Sequence, residues 1–308
     1  MSAVVIVPEG PAPPGGRPVL AWAHPTTGLA DRCAPSRTPL VFALIPALDR
    51  ILRSGWVVVA TDYQGLGTPG HHPYLVADSE GHSLLDSVRA ARTLTSTANE
   101  VALYGWSQGG HAALSAGQSA ATYAPDLDLV GVAVDAPGGD LSAAFRAQES
   151  NPKYWTVLAF ILQAYANEYG VPAETLQGLL TPPAQAAFAK FVAVCPVAPD
   201  TQSERLDLVR ALAGIDRFFA TDPLTTGPWS SLLSQNSPGG APIPAPVRIN
   251  QGSTDDLSLP DLTRAQADRL QQTGTSVDYV VYPGIGHPGI GAAAATDTLD
   301  WFNQGLGR

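Results

Sequence analysis

Gly105-Trp106-Ser107-Gln108-Gly109 constrains this chain more than any other segment. The apolar run Val101-Ala102-Leu103-Tyr104 precedes it, and Gly110-His111-Ala112-Ala113-Leu114-Ser115-Ala116 follows it and reads as an opening helix. A strand that becomes a helix through so short a turn leaves the central serine in strained backbone. Small residues two before and two after it let the chain pass without a Cβ clash. The strain aims the Ser107 hydroxyl away from the sheet and at a helix N-terminus, where N–H groups and the helix dipole stabilise an oxyanion. Gly-x-Ser-x-Gly alone is a weak signal, because a glycine-rich turn whose serine caps a helix has the same letters. The flanking strand and helix favour a nucleophile.

Strand-like and helical runs alternate around this turn. Ala3–Val7, Val19–Ala23, Trp56–Thr61, Val101–Tyr104, Leu129–Val134, Val247–Gln251 and Val277–Tyr282 read as strands. Leu40–Arg53, Ser79–Leu94, residues 260–273 and Ala292–Phe302 read as helices. That pattern predicts an α/β fold with a mostly parallel sheet and helices on both faces. Residues 140–240 break the alternation. They hold no convincing strand but many aromatics, among them Phe145, Tyr154, Trp155, Phe160, Tyr165, Phe188, Phe191, Phe218 and Phe219. The expected organisation is a core of residues 1–139 and 241–308 and a helical cap or lid insertion at 140–240. Most of the aromatics are expected to pack a satellite core, and a few to line an apolar pocket. Ser237–Pro246, rich in proline and glycine, reads as a stiff linker back to the sheet.

A serine hydroxyl needs a base. Of six histidines (His24, His71, His72, His82, His111 and His287), only His111 and His287 follow Ser107. His111 lies one turn along the elbow helix and points away from the hydroxyl. His287, in Gly284-Ile285-Gly286-His287-Pro288-Gly289 just past the last strand, can swing over it. The orienting acid is expected after the preceding strand, where Asp255 and Asp256 stand together; the spacing favours Asp255. Asp278 lies inside a strand and is a weaker candidate. Two N–H donors complete an oxyanion hole: Gln108, and Thr26 or Thr27 in the loop after Val19–Ala23. The loop from Asp62 to His72 reads as a wall of the site. It has neither the glycine pattern of a nucleotide fold nor a metal-ligand spacing.

The formal charge of −10 disfavours nucleic acid and anionic membranes as partners. No apolar run reaches the ~20 residues that span a bilayer. Met1-Ser2 leads straight into Ala3–Val7 without a basic region or cleavage site, which fits a cytoplasmic protein or a mature form given a new start. Cys33 and Cys195 are the only cysteines and fit either buried thiols or one long-range disulfide.

Ala21–Gly28, Asp31–Ser36, Thr61–Gly67, Gly105–His111 and Tyr282–His287 together resemble the secretory lipase family of α/β-hydrolases, the group of Candida antarctica lipase A and actinobacterial esterases. The resemblance spans nearly the whole chain. It implies the α/β-hydrolase fold, with Ser107 as nucleophile, Asp255 as acid and His287 as base, and with Thr27 and Gln108 as oxyanion donors. It further implies a Cys33–Cys195 disulfide and a secreted location. Thr26, Asp62, Tyr63 and Trp106 are the expected substrate contacts. The implied activity is hydrolysis of small-molecule or lipid esters through an acyl-enzyme, with no cofactor, no metal and no integral membrane association. The family's signal peptide, longer N-terminal segment and C-terminal flap have no counterpart here, and the acid loop is one residue longer before Pro260. These departures point to short or medium acyl chains. The alternatives are an acyltransferase with the same triad and a catalytically silent binding protein.

Overall fold

A computed structural model describes residues 1–197 and 202–307, so part of the expected insertion, residues 198–201, lies outside the described residues. Seven strands form one sheet: β1 (Ala3–Ile6), β2 (Arg17–Ala23), β3 (Val57–Thr61), β4 (Thr97–Trp106), β5 (Asp128–Asp135), β6 (Val247–Gly252) and β7 (Val277–Tyr282). Their order is β1-β3-β2-β4-β5-β6-β7, and every pairing is parallel except that of β1 with β3. The expected mostly parallel α/β sheet is therefore present.

Period-two alternation along the strands divides the core. Val19, Ala21, Val57, Val59, Val101, Leu103, Val132, Val134 and Ile249 face one way, against α3 (Ala77–Leu94), α4 (Gln108–Tyr123) and α11 (Pro260–Gln272). Leu20, Trp22, Val58, Ala60, Ala102, Tyr104 and Ala133 face the other, against α1 (Leu40–Leu44), α2 (Leu48–Arg53) and α12 (Ile290–Gly305). Central strands covered on both faces read as unbroken apolar runs, which is why they were legible.

The single helix expected over Leu40–Arg53 is in fact two. Ile45 precedes Pro46 and is extended (φ −90°, ψ 107°), as steric pressure from the proline ring requires, and Ala47 follows at φ 51°.

Between β5 and β6 lie α5 (Leu141–Gln148), α6 (Trp155–Tyr169), α7 (Ala173–Leu179), α8 (Pro182–Ala193), α9 (Gln202–Leu212) and α10 (Trp229–Gln235). One isolated bridge, Leu180 with Phe219, is the extended pairing recorded among them. Their aromatics form a hydrophobic cluster of their own, with Trp155, Phe160, Phe191 and Phe218 nearly fully buried, and it takes in Tyr74, Leu75 and Val76 from the segment after β3. A disulfide between Cys33 and Cys195, Cα atoms 5.3 Å apart and 162 residues apart in sequence, ties the loop after β2 to the segment after α8. Among the described residues no helix is long and apolar enough to cross a membrane.

Candidate active site

Ser107 stands between β4 and α4 at φ 57° and ψ −112°, a backbone region costly to a residue with a Cβ. The turn is held from below: the Ser107 N–H donates to the Asp135 carbonyl at 2.9 Å, and the Ser107 carbonyl accepts from His111 and Gly138 at 3.1 Å each. Its tightness demands the flanking glycines. A Cβ at position 105 would lie 2.0 Å from the Gly109 carbonyl oxygen, and one at 109 would lie 1.9 Å from that of Ala23. The hydroxyl makes no capping bond to α4. It pairs instead with His287 Nε2 at 3.0 Å.

His287 follows β7 and Asp255 follows β6, and the two loops are laced together. Ser253 N–H donates to the Tyr282 carbonyl at 3.0 Å and Thr254 N–H to that of Ile285 at 3.0 Å. This lacing brings His287 Nδ1 to 2.7 Å from Asp255 Oδ2. The other oxygen, Asp255 Oδ1, accepts the N–H groups of Leu257 (2.9 Å) and Ser258 (2.8 Å), which fixes the carboxylate plane. Asp255 and His287 are both buried. Asp256 faces outward to Lys153, whose ammonium, with the hydrogen bond first, holds its carboxyl below the usual range. A hydroxyl on a ring nitrogen whose opposite N–H is held by a carboxylate is the arrangement that activates a serine for attack on a carbonyl.

Ser107 and His287 open onto two spaces. One is a cavity of about 60 Å³ bounded by Thr26, Tyr74, Leu75, Gln108, Tyr154 and Gln266. The other is a groove of about 400 Å³ lined mainly by apolar groups, including Trp106, Val157, Phe160 and Leu208. The backbone N–H groups of Thr26, Thr27 and Gln108 have no protein acceptor among the described residues. Thr26 lines both spaces, and its hydroxyl meets Tyr74 Oη at 2.7 Å; Thr27 is buried and lines neither.

Of the expected substrate contacts, Thr26 and Trp106 line the groove, but Asp62 and Tyr63 do not. The Asp62 carboxylate is occupied by Ser2 Oγ (2.6 Å), the Ser36 N–H (2.9 Å) and Ser36 Oγ, so it braces the loop after β2. Tyr63 donates its phenol to the His24 carbonyl at 2.9 Å and stacks on His72. The wall that the 62–72 loop was expected to form is supplied by the next residues, Tyr74 and Leu75.

A polar cluster that sequence reading did not find lies under the elbow: Glu80, His72, Gln108 and His111, all buried. Its one sequence signal is Glu80 standing on the apolar stripe of α3, four residues before Leu84 and eight before Val88. Burial pushes His72 down to about 4 and also lowers His24, so both imidazoles are neutral near pH 7. Burial raises Asp135 to about 7, against hydrogen bonds from Tyr104 Oη (2.7 Å) and Asn250 Nδ2 (2.8 Å) that pull it back.

Comparison with known proteins agrees with this fold. The family model described as secretory lipase matches residues 36–306. A probable inactive lipase of Mycobacterium tuberculosis is 28% identical over 97% of this chain and 68% of its own length. Lipase A of Arthroderma benhamiae is 25% identical over 83% of this chain; the match spans 54% of that protein. Among solved structures, Candida antarctica lipase A in its closed state superposes with a TM-score of 0.77 at 18% identity, over 98% of this chain and 73% of that one. The rice cell wall degrading esterase LipA of Xanthomonas oryzae does so at 0.78 and 23%, over 97% and 83%. At such identities the likeness speaks for the fold, which is that of the α/β-hydrolases. With a strained serine at the strand–helix elbow and a family model covering most of its length, this chain belongs to the secretory lipase family.

Proposed function

We propose that the chain is a serine carboxylic-ester hydrolase acting through an acyl-enzyme on esters of short to medium acyl chains. The observation that carries this is the unbroken line from Ser107 Oγ through His287 to Asp255, at 3.0 and 2.7 Å. Ser107 Oγ attacks the ester carbonyl carbon while His287 Nε2 takes its proton, and Asp255 holds the resulting imidazolium. Charge on the former carbonyl oxygen falls to the N–H groups of Gln108 and Thr27, with Thr26 the alternative donor. His287 then gives its proton to the departing alkoxide. Water enters, loses a proton to His287 and attacks the acyl carbon, and Ser107 recovers its hydrogen as the carboxylic acid leaves.

The two spaces beside Ser107 suit an ester with one small and one bulkier apolar half, which supports the short-chain reading. Residues 140–240 act as the cap, their Tyr154, Val157 and Phe160 roofing the site. The disulfide and the family's character support a secreted protein. A second reading, a silent protein on the hydrolase fold, is favoured by the relative named a probable inactive lipase. Turnover of nitrophenyl esters from acetate to palmitate decides between them. The hydrolase reading expects turnover that peaks at short or medium chains and vanishes in Ser107→Ala. Equal rates in the two proteins would leave the silent reading standing.

A further inference from the structure

The carboxylate of Glu80 is fully buried 28 residues before Gln108, and all its partners are internal. Glu80 Oε1 accepts the backbone N–H of Leu75 at 2.8 Å and one hydrogen of the Gln108 amide at 2.8 Å. Glu80 Oε2 lies 2.8 Å from His111 Nδ1. His111 Nε2 faces the Asn236 carbonyl at 2.7 Å, and a carbonyl only accepts, so that nitrogen carries hydrogen. A single proton is therefore shared between Glu80 Oε2 and His111 Nδ1.

The second hydrogen of the Gln108 amide has an equally definite destination. His72 Nδ1 sits 3.0 Å from the Gln64 carbonyl and must donate to it, which leaves His72 Nε2 bare to accept from Gln108 at 3.0 Å. The amide cannot rotate without abandoning two buried acceptors. Gln108 is also the first residue of α4, directly after Ser107. Its side-chain bonds therefore anchor the residue whose peptide N–H stands next to the reacting hydroxyl. Leu75, held by the same carboxylate oxygen, is strained at φ 54° and lines the small cavity beside Ser107.

We propose that Glu80 is the positioning residue of the oxyanion hole. It acts through the Gln108 side chain, which orients the Gln108 backbone N–H, and through Leu75, which shapes the adjoining wall; it touches no substrate. The inference rests on the ester-hydrolase reading above. It separates Glu80 from a carboxylate that only stabilises the fold, because displacing an oxyanion donor weakens the transition state more than the bound ester.

The test is a double-mutant cycle of Glu80→Ala and Gln108→Ala, with Glu80→Gln as the conservative variant, read as kcat and KM on nitrophenyl acetate. Glu80→Ala is expected to lower kcat about 10- to 100-fold with KM within about threefold, the scale of a small misplacement at a reacting centre. Gln108→Ala keeps its N–H but loses the tether, and is expected to fall as far; the double variant should fall no further. Glu80→Gln offers an acceptor to Leu75 and Gln108 and an N–H to His111 Nδ1, so its kcat should stay within about threefold of wild type. Multiplying losses, an unchanged kcat in Gln108→Ala, a rise in KM alone, or a Glu80→Gln as impaired as alanine would each overturn the inference. Should Glu80→Ala not fold, Gln108→Ala and Glu80→Gln still decide it. A wild type no faster than Ser107→Ala would overturn the hydrolase reading itself and this inference with it.

Discussion

Two histidines flank the nucleophile elbow, and each has its Nδ1 on a buried carboxylate: His287 on Asp255 at 2.7 Å and His111 on Glu80 at 2.8 Å. They differ at the far nitrogen. His287 Nε2 meets the Ser107 hydroxyl, which can surrender a proton; His111 Nε2 meets the Asn236 carbonyl, which has none to give. On the proposed reading, the same pair of side chains thus makes a base above the elbow and a strut below it. A histidine beside a carboxylate is therefore no evidence of catalysis until the third partner is known.

Alanine substitutions should separate the two most sharply. His287→Ala is expected to lower kcat by about 10⁴- to 10⁶-fold, as losing a base from such a unit does. Its melting temperature should change little, because His287 opens onto the two spaces beside Ser107, where water can replace the imidazole, whereas His111 and Glu80 are sealed from solvent. His111→Ala should do the reverse. Stripping one partner from a buried pair costs roughly 3–5 kcal/mol, visible in a thermal melt, while kcat of the folded fraction stays within about tenfold of wild type. A His111→Ala protein that melts normally but has lost turnover would break the comparison.

The carboxylates come next. Asp255→Asn should cost about 10⁴-fold in kcat by leaving the imidazole in the wrong tautomer. Asp256→Asn removes only an exposed pair with Lys153 and should stay within about threefold on the same ester assay.

A further contrast lies in the pH dependence of stability. His72 is pushed down to about 4 from 6.5, so the unfolded chain binds its proton first as pH falls. His72 therefore contributes stability fully present above about 6.5 and lost as pH drops toward 4, about 3 kcal/mol in all. Asp135, raised to about 7 from 3.8, has the opposite sign: its contribution is present below about 4 and lost as pH rises through 7. In the wild type these slopes nearly cancel between pH 4 and 6.5. Urea unfolding at several pH values should show stability falling with rising pH in His72→Gln and rising in Asp135→Asn. Parallel curves for both variants would contradict these assignments.

How far the sequence reveals such a molecule depends on how local each signal is. The central strands were readable because burial on both faces leaves unbroken runs such as Val57-Val58-Val59-Ala60. Ser107 and His287 were readable because one is set by its flanking glycines and the other by following the last strand. Spacing favoured Asp255 over Asp256 but could not show why neighbours in a loop point different ways: backbone donors from Leu257 and Ser258 capture one and Lys153 the other. The break at Pro46 has a local signal, Ile45-Pro46, because a residue before proline is driven out of the helical region. Glu80, His72 and Gln108 meet from three separate segments, so apart from one carboxylate on an apolar stripe nothing in the sequence announces them. Asp62 and Tyr63 stand outside both spaces beside Ser107 for the same reason, their partners Ser36 and His24 lying some 26 and 39 residues away.

The most direct measurement is intact and peptide mass spectrometry after rapid acid quench of the protein with nitrophenyl acetate. The account predicts one acetyl group on the peptide containing Ser107 in the wild type and none in Ser107→Ala. A wild type that releases nitrophenolate with no acetyl on Ser107, or with the same yield in Ser107→Ala, would contradict it.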